Sequence, residues 1–177
     1  MTSSPKLTNW DNPKLKTPSM PVEFINGRIT PALEEELNEK LLKDWVSHKI
    51  YCVSGPLVGI YQRVILLVAE TPILLINPML VDQSENLVTL EEFAANMPVG
   101  TIKITRPDSI RVRYSDVNGN KTTQVFHGVS CRLVQQQMDY LDGITPLDRA
   151  GYVRRESILK ALKKYERVTT KLRKLNE

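Results

Sequence analysis

Apolar residues at Leu33, Leu37, Leu41 and Trp45 recur at helical spacing, with Leu42 and Val46 widening the stripe. They predict a helix over 30–46. Thr30 is placed to cap it, Pro31 suits the first helical position, and Glu34 to Glu36 favour the positive end of the helix dipole. Ahead of it, residues 1–29 are polar and proline-bearing without a sustained period, which predicts an extended arm. "SGPLVG" (54–59) reads as a turn. The run "VILLVAETPILLI" (64–76), broken by Glu70, Thr71 and Pro72, predicts two buried strands, at 62–69 and 73–76, with a turn at Asn77-Pro78. Apolar and polar residues then alternate through Ile110, Val112 and Tyr114 into "DVNGN", the mark of a β-hairpin with a tight turn. Val129, Leu133, Met138 and Leu141 predict a helix over 128–142, stopped by Gly143. A last helix is expected over 156–175, with Ile158, Leu162, Tyr165, Val168 and Leu172 along one side. Together these elements predict an α+β chain: an arm (1–29), a body (30–153) and a C-terminal helix (154–177).

Charge adds one feature to this picture. The segment from Arg154 onward holds nine Lys/Arg against three Glu, a net +6, and leaves 15 basic against 17 acidic residues elsewhere. A faintly acidic body with a strongly basic end suggests that the last helix docks on an acidic partner surface. Lys160, Lys163, Lys164, Arg167, Lys171, Arg173 and Lys174 would make those contacts. A solvated amphipathic helix packed on the body through Ile158, Leu162 and Tyr165 is the competing reading.

The chain has 177 residues, with 41% hydrophobic and 25% charged, so it can bury a real core. No apolar run reaches the ~18–20 residues of a membrane span, which argues against membrane insertion. The first residues lack the apolar stretch of a secretory signal. Two cysteines, Cys52 and Cys131, make no disulfide framework and suit a reduced compartment.

The stretch "VQQQMDYLDG" (134–143) holds the frame of a metal site. Gln136 and Tyr140 stand four residues apart on one helix face, with Gln137 beside the first. Two histidines at that spacing, with a glutamate next to the first, would bind zinc and supply a general base. Neither of the chain's histidines stands there: His48 falls at the end of the first helix and His127 nine residues before Gln136. Neither has cysteine or carboxylate at ligand spacing. Cys131, one turn from Gln135, reads as a small core residue.

Read in order, these pieces resemble peptide deformylase, the metal hydrolase that removes the formyl group from the N-terminal methionine of new proteins. "GPLVGIYQ" is similar to the G-x-G-L-A-A-x-Q motif, keeping Gly55 and Gln62 with Leu57 in place of the second glycine. "LINPML" resembles the I-N-P strand end. Glu92-Phe93-Ala94-Ala95-Asn96 falls on E-G-C-L-S, and "TRPDSIRVRYSDVNG" on the family's hairpin. Gln135-Gln136-Gln137-Met138-Asp139-Tyr140-Leu141-Asp142-Gly143 falls on Q-H-E-x-D-H-L-x-G. The resemblance implies the deformylase fold, strands around a central motif helix. It also implies a metal held by the residues at positions 94, 136 and 140 and a base at 137.

Those positions carry Ala94, Gln136, Tyr140 and Gln137 here. Alanine has no donor, an amide oxygen is a poor ligand for borderline metals, and a phenol must lose a proton of pKa about 10 to ligate strongly. A neutral amide cannot take a proton from water. From this the sequence predicts no metal or other cofactor, no catalysis, and Phe93, Ala94 and Ala95 filling the old pocket. The expected role is that of a structural or interaction component of a larger assembly, a phage virion for example, contacting other chains through its arm and basic helix. A ribosome-associated factor and a residual binder of N-terminal methionine peptides, with Gln62 in its former orienting position, remain as alternatives. The corresponding locations are the virion or the cytoplasm.

Overall fold

Seven strands and four α-helices form among the described residues of the computed structural model, which are 6–42, 51–69 and 71–175, with side chains as far as Leu172. Five strands make one antiparallel sheet in the order β1 (Cys52–Ser54), β2 (Val64–Leu67), β3 (Ile73–Gln83), β6 (Ser109–Ser115) and β7 (Lys121–His127). β4 (Leu87–Glu92) and β5 (Ile102–Pro107) pair as a separate antiparallel ribbon. The helices are α1 (Pro31–Leu37), α2 (Gly128–Leu141), α3 (Pro146–Arg149) and α4 (Tyr152–Leu175).

The β6–β7 hairpin follows its sequence pattern. Ile110, Val112 and Tyr114 are buried while Arg111 and Arg113 are exposed, as the two-residue period of a half-buried strand requires. In its turn, the Asp116 carboxylate accepts the N–H groups of Asn118 and Asn120, and Gly119 supplies a φ of 74°.

β3 departs from expectation. It runs through Asn77-Pro78 instead of turning there, and the register against β6 shifts between Ile76 and Met79. Asn77 takes φ 50°, and Pro78, which has no N–H to give a ladder, sits in this bulge. The Asn77 side chain accepts the Val22 N–H and donates to the Val22 carbonyl, tying the N-terminal segment to the sheet.

Thr30 Oγ1 accepts the Leu33 N–H at the start of α1, and Leu33, Leu37 and Leu41 are buried as predicted. The regular helix ends at Leu37, and Asn38–Leu42 winds on as a wider π turn. Trp45, Val46 and His48 lie outside the described residues. α4 begins at Tyr152, earlier than the predicted 156.

Three apolar clusters hold these pieces. The first joins Leu33, Leu37 and Leu41 to Val53, Leu57 and Tyr140. The second packs Cys131, Val134 and Leu141 of α2 against Ile65, Leu75, Ile110 and Val112 of the sheet. α2 therefore contributes to both. The third seats Ile158 and Leu162 of α4 on Ala94, Met97, Ile102 and Ile104.

The N-terminal segment corrects the expectation of an extended arm: it is packed on the body. Leu15, Val22 and Ile29 are buried in the first cluster, each contributing about 1.5–3 kcal/mol by its removal from water. Thr8 N–H donates to the Leu57 carbonyl, Ser19 N–H to Leu141, and Met20 N–H to Tyr61. A few well-spaced apolar residues fix the segment on the body.

Candidate functional site

One charged network and one amide chain converge on α2. Residues 129, 132, 133, 136, 137 and 140 share one face of this helix by their spacing of three and four. They form one wall of an open groove with a cavity volume of about 540 Å³. The opposite wall is Leu90, Glu91, Glu92, Phe93 and Ala95, at the end of β4, and Tyr51, Cys52 and Leu57 close the third side.

The groove corrects the expectation that apolar side chains fill it. Phe93, the residue after β4, is 60% exposed and lines the groove without filling it. Ala94 is buried instead in the third cluster, beside Met97. Gln62 does not line the groove; its backbone bridges Met20 of the N-terminal segment.

The amides at the groove's inner end have fixed orientations. Gln137 Oε1 accepts both the Ser54 backbone N–H (3.0 Å) and the Ser54 hydroxyl (2.9 Å). A backbone N–H can only donate, so the Gln137 amide nitrogen must face the other way, where it donates to Gln136 Oε1 at 3.3 Å. Gln136 Nε2 donates in turn to the Phe93 carbonyl at 3.0 Å and lies 3.4 Å from Glu92 Oε2. Tyr140 is buried, and its hydroxyl donates to Asn96 Oδ1 at 2.8 Å. Burial, then the negative charges of Asp139 and Glu92, raises this phenol above its ordinary range and keeps it protonated.

Beneath the amides lies a buried ionic cluster. Arg106 donates to both oxygens of Glu92, at 2.6 and 3.0 Å, and pairs with Asp139 at 2.8 Å. Arg132 donates to Glu92 Oε1 at 2.6 Å and to the Ile104 and Val88 carbonyls. Asp139 also receives Arg149. Burial disfavours the Arg106 charge, but the Glu92 bonds and the field of Asp139 outweigh it, so the guanidinium is held charged more firmly than usual.

Sequence reasoning placed Gln136, Gln137 and Tyr140 together on this face, and the structure brings them together. It missed Arg132 and Ser54. Arg132 lies one turn before Gln136 on the same face, and that spacing was the available signal; Ser54 sits 83 positions from Gln137 and gave none.

Of the predicted partner contacts, Lys160, Lys163, Lys164, Arg167 and Lys171 are exposed on α4, whereas the side chains of Arg173 and Lys174 lie outside the described residues. His127 precedes α2 and is exposed, and Cys131 is fully buried.

The sequence model of the polypeptide deformylase family matches residues 5–156. The chain belongs to the polypeptide deformylase family. Among similar proteins, the peptide deformylase of Maricaulis maris is 26% identical over 162 residues, covering 88% of this chain and 90% of its own. A "peptide deformylase-like" protein of Brucella melitensis is 27% identical over 164 residues, covering 91% and 97%. The crystal structure of peptide deformylase from Ehrlichia chaffeensis superposes with a TM-score of 0.83 at 23% identity, covering 95% of this chain and 99% of that one. That of Synechococcus elongatus, in complex with actinonin, gives 0.80 at 25% identity, covering 92% and 88%.

This kinship overturns the expectation of a non-catalytic structural component. Relatives that match most of the chain carry the name of an enzyme, and the virion reading falls with that expectation. No helix among the described residues is long and apolar enough to cross a membrane. The metal ion implied by the resemblance does not fit the donors present. Ala94 offers none, Gln136 and Gln137 are neutral amides already bonded to Phe93 and Ser54, and the Tyr140 phenol keeps its proton.

Proposed function

We propose that this chain engages the amino-terminal end of peptides, the substrate class named by its family, in the groove between β4 and α2. The observation that carries this reading is the groove itself. It stays open, with the size typical of ligand sites, and is lined by Leu57, Glu92, Phe93, Gln136, Gln137 and Tyr140, which stand in the three family motifs. Most of its wall is apolar, suited to a methionine-sized side chain, and its polar end holds oriented neutral amides suited to a carbonyl and an N–H. The actinonin complex of the Synechococcus elongatus relative supports a ligand-taking role for a protein of this fold and family.

Titration calorimetry of the chain with an N-formyl-Met-Ala-Ser peptide tests the reading. Saturable one-to-one binding is expected, and Val129→Trp, which places a large ring over the groove from an exposed position, weakens it. Formate release measured in the same samples reports turnover. No binding at millimolar peptide, or binding indifferent to the Val129 substitution, overturns the assignment to this groove.

A further inference from the structure

The groove wall is mostly apolar, with Glu92 and the amides at its inner end and one cation, Arg132, in its floor. Arg132 has a side chain 14% exposed and lines the groove together with Val129 and Leu133. A guanidinium carries five N–H donors. Three are used: two at Nη1, toward Glu92 and Ile104, and one at Nη2, toward Val88. The Nε–H and the second Nη2–H have no protein acceptor among the described residues. Nε is not a sealed, unpartnered atom, because Ser19 Oγ is the one buried side-chain polar atom left without a partner among those residues.

The surrounding charge favours an acceptor at this point. Glu92 is shared by Arg106 and Arg132, and Asp139 by Arg106 and Arg149, so three guanidinium groups face two carboxylates. Glu91 also borders the groove, but neighbouring strand residues project to opposite faces. Its carboxylate goes to the outer side of β4, where Thr101 donates to it, opposite Lys103. The ion-pair cluster is thus left with one positive charge in excess, and its Arg132 brings two N–H donors without a protein acceptor to a mostly apolar wall.

We infer that Arg132 sets the side-chain specificity of the groove, selecting a first residue with an apolar stem and a hydrogen-bond-accepting tip over a pure hydrocarbon of the same length. This rests on the peptide-binding role proposed above. The physical basis is asymmetric. A hydrocarbon tip covers the two donors without bonding them, which costs more than an apolar pocket gains from one extra methylene. An accepting oxygen satisfies them, and a carboxylate also meets the unbalanced charge.

The test compares three N-formyl tripeptides that differ only at the first residue: norleucine, glutamine and glutamate. Calorimetry on the intact chain is expected to rank glutamate at or above glutamine, and glutamine about tenfold above norleucine, the scale of a donor left unpaired. Arg132→Met, which keeps the stem and removes the donors, is expected to bring the glutamine-to-norleucine ratio to one or below. Arg132→Lys, which keeps the charge, retains the preference for glutamate. Norleucine binding as tightly as glutamine to the intact chain overturns the inference and leaves the groove reading standing. So does a ratio unchanged in a folded Arg132→Met variant. If none of the three peptides binds, the groove reading itself fails and takes this inference with it. The ranking on the intact chain decides alone if the Met variant does not fold.

Discussion

The Tyr140 hydroxyl donates to Asn96 Oδ1 across 2.8 Å, with both residues buried, and Asn96 Nδ2 passes the connection on to the Thr8 carbonyl. A side chain at the position of a family metal ligand therefore ties α2 to the N-terminal segment.

Tyr140→Phe removes that hydroxyl and leaves the Asn96 oxygen without its donor. The expected cost is about 1–3 kcal/mol. In a chain of this size each kcal/mol lowers the melting midpoint by about 2–4 °C, so a thermal melt reads it. The same residue sets an alkaline limit. Its folded-state pKa is raised, so the folded chain keeps a proton that the unfolded chain releases near pH 10. The Tyr140 contribution is full below about pH 10 and is lost as pH rises beyond it. Urea midpoints followed from pH 8 to 11 should fall, and fall less in Tyr140→Phe.

Arg106 bridges two buried carboxylates, so Arg106→Met strands charge that the remaining arginines only partly offset. A loss of about 3–5 kcal/mol is expected from breaking one side of such a buried network. Adding Glu92→Gln to Arg106→Met should restore part of it, since the stranded charge goes too. Denaturant titration of the single and double variants measures both, and a double variant weaker than Arg106→Met contradicts the account.

Gly143 and Gly59 share a left-handed backbone, with φ of 74° and 81°, but not their surroundings. A Cβ at 143 would lie 2.7 Å from the Lys16 carbonyl oxygen, whereas one at 59 would meet nothing within 4 Å. Gly59→Ala should cost about 1 kcal/mol, the strain of its φ alone. Gly143→Ala should cost clearly more, because backbone must also move. Equal costs would show that the approach of Lys16 is not tight in solution.

α4 divides into a packed half and an exposed half. Leu162 is fully buried, while Tyr165, Val168 and Leu172 are about half exposed. Leu162→Ala is expected to cost about 2–5 kcal/mol. Ending the chain after Lys164 removes the Trp10–Glu166 hydrogen bond and should cost no more than about 1.5 kcal/mol. Melting midpoints of the two variants check this ordering.

How much of this was legible in the sequence follows from the range of the signals. The β6–β7 hairpin and α2 were readable because alternation, Asn-Gly and a terminal glycine act within a few residues. The β4–β5 ribbon went unpredicted: Leu87 and Leu90 face outward at 60% and 52% exposure, so its strands lack the usual inward pattern. Asn77-Pro78 misled because a turn dipeptide and a bulge use the same conformations. At the groove, the identities of Gln136, Gln137 and Tyr140 were evident. Their substitution was read as collapse, but whether a pocket closes depends on where Phe93 points. The segment after β4 sets that direction, and local pattern does not reveal it.

The N-terminal segment has a consequence for how the molecule is made. Thr8 and Ser19 bond to Leu57 and Leu141, Trp10 reaches Glu166, and Lys16 pairs with Asp148. Several partners of this segment thus lie more than a hundred residues later in the chain. Until α2 and α4 emerge, Leu15 and Val22 have incomplete cover, and the loops to be closed are among the longest this chain can form. Folding should complete abruptly once α4 has been synthesised, with residues 8–22 locking last. Pulse proteolysis of nascent chains stalled before and after residue 166 would show that segment turning from cleavable to protected in one step.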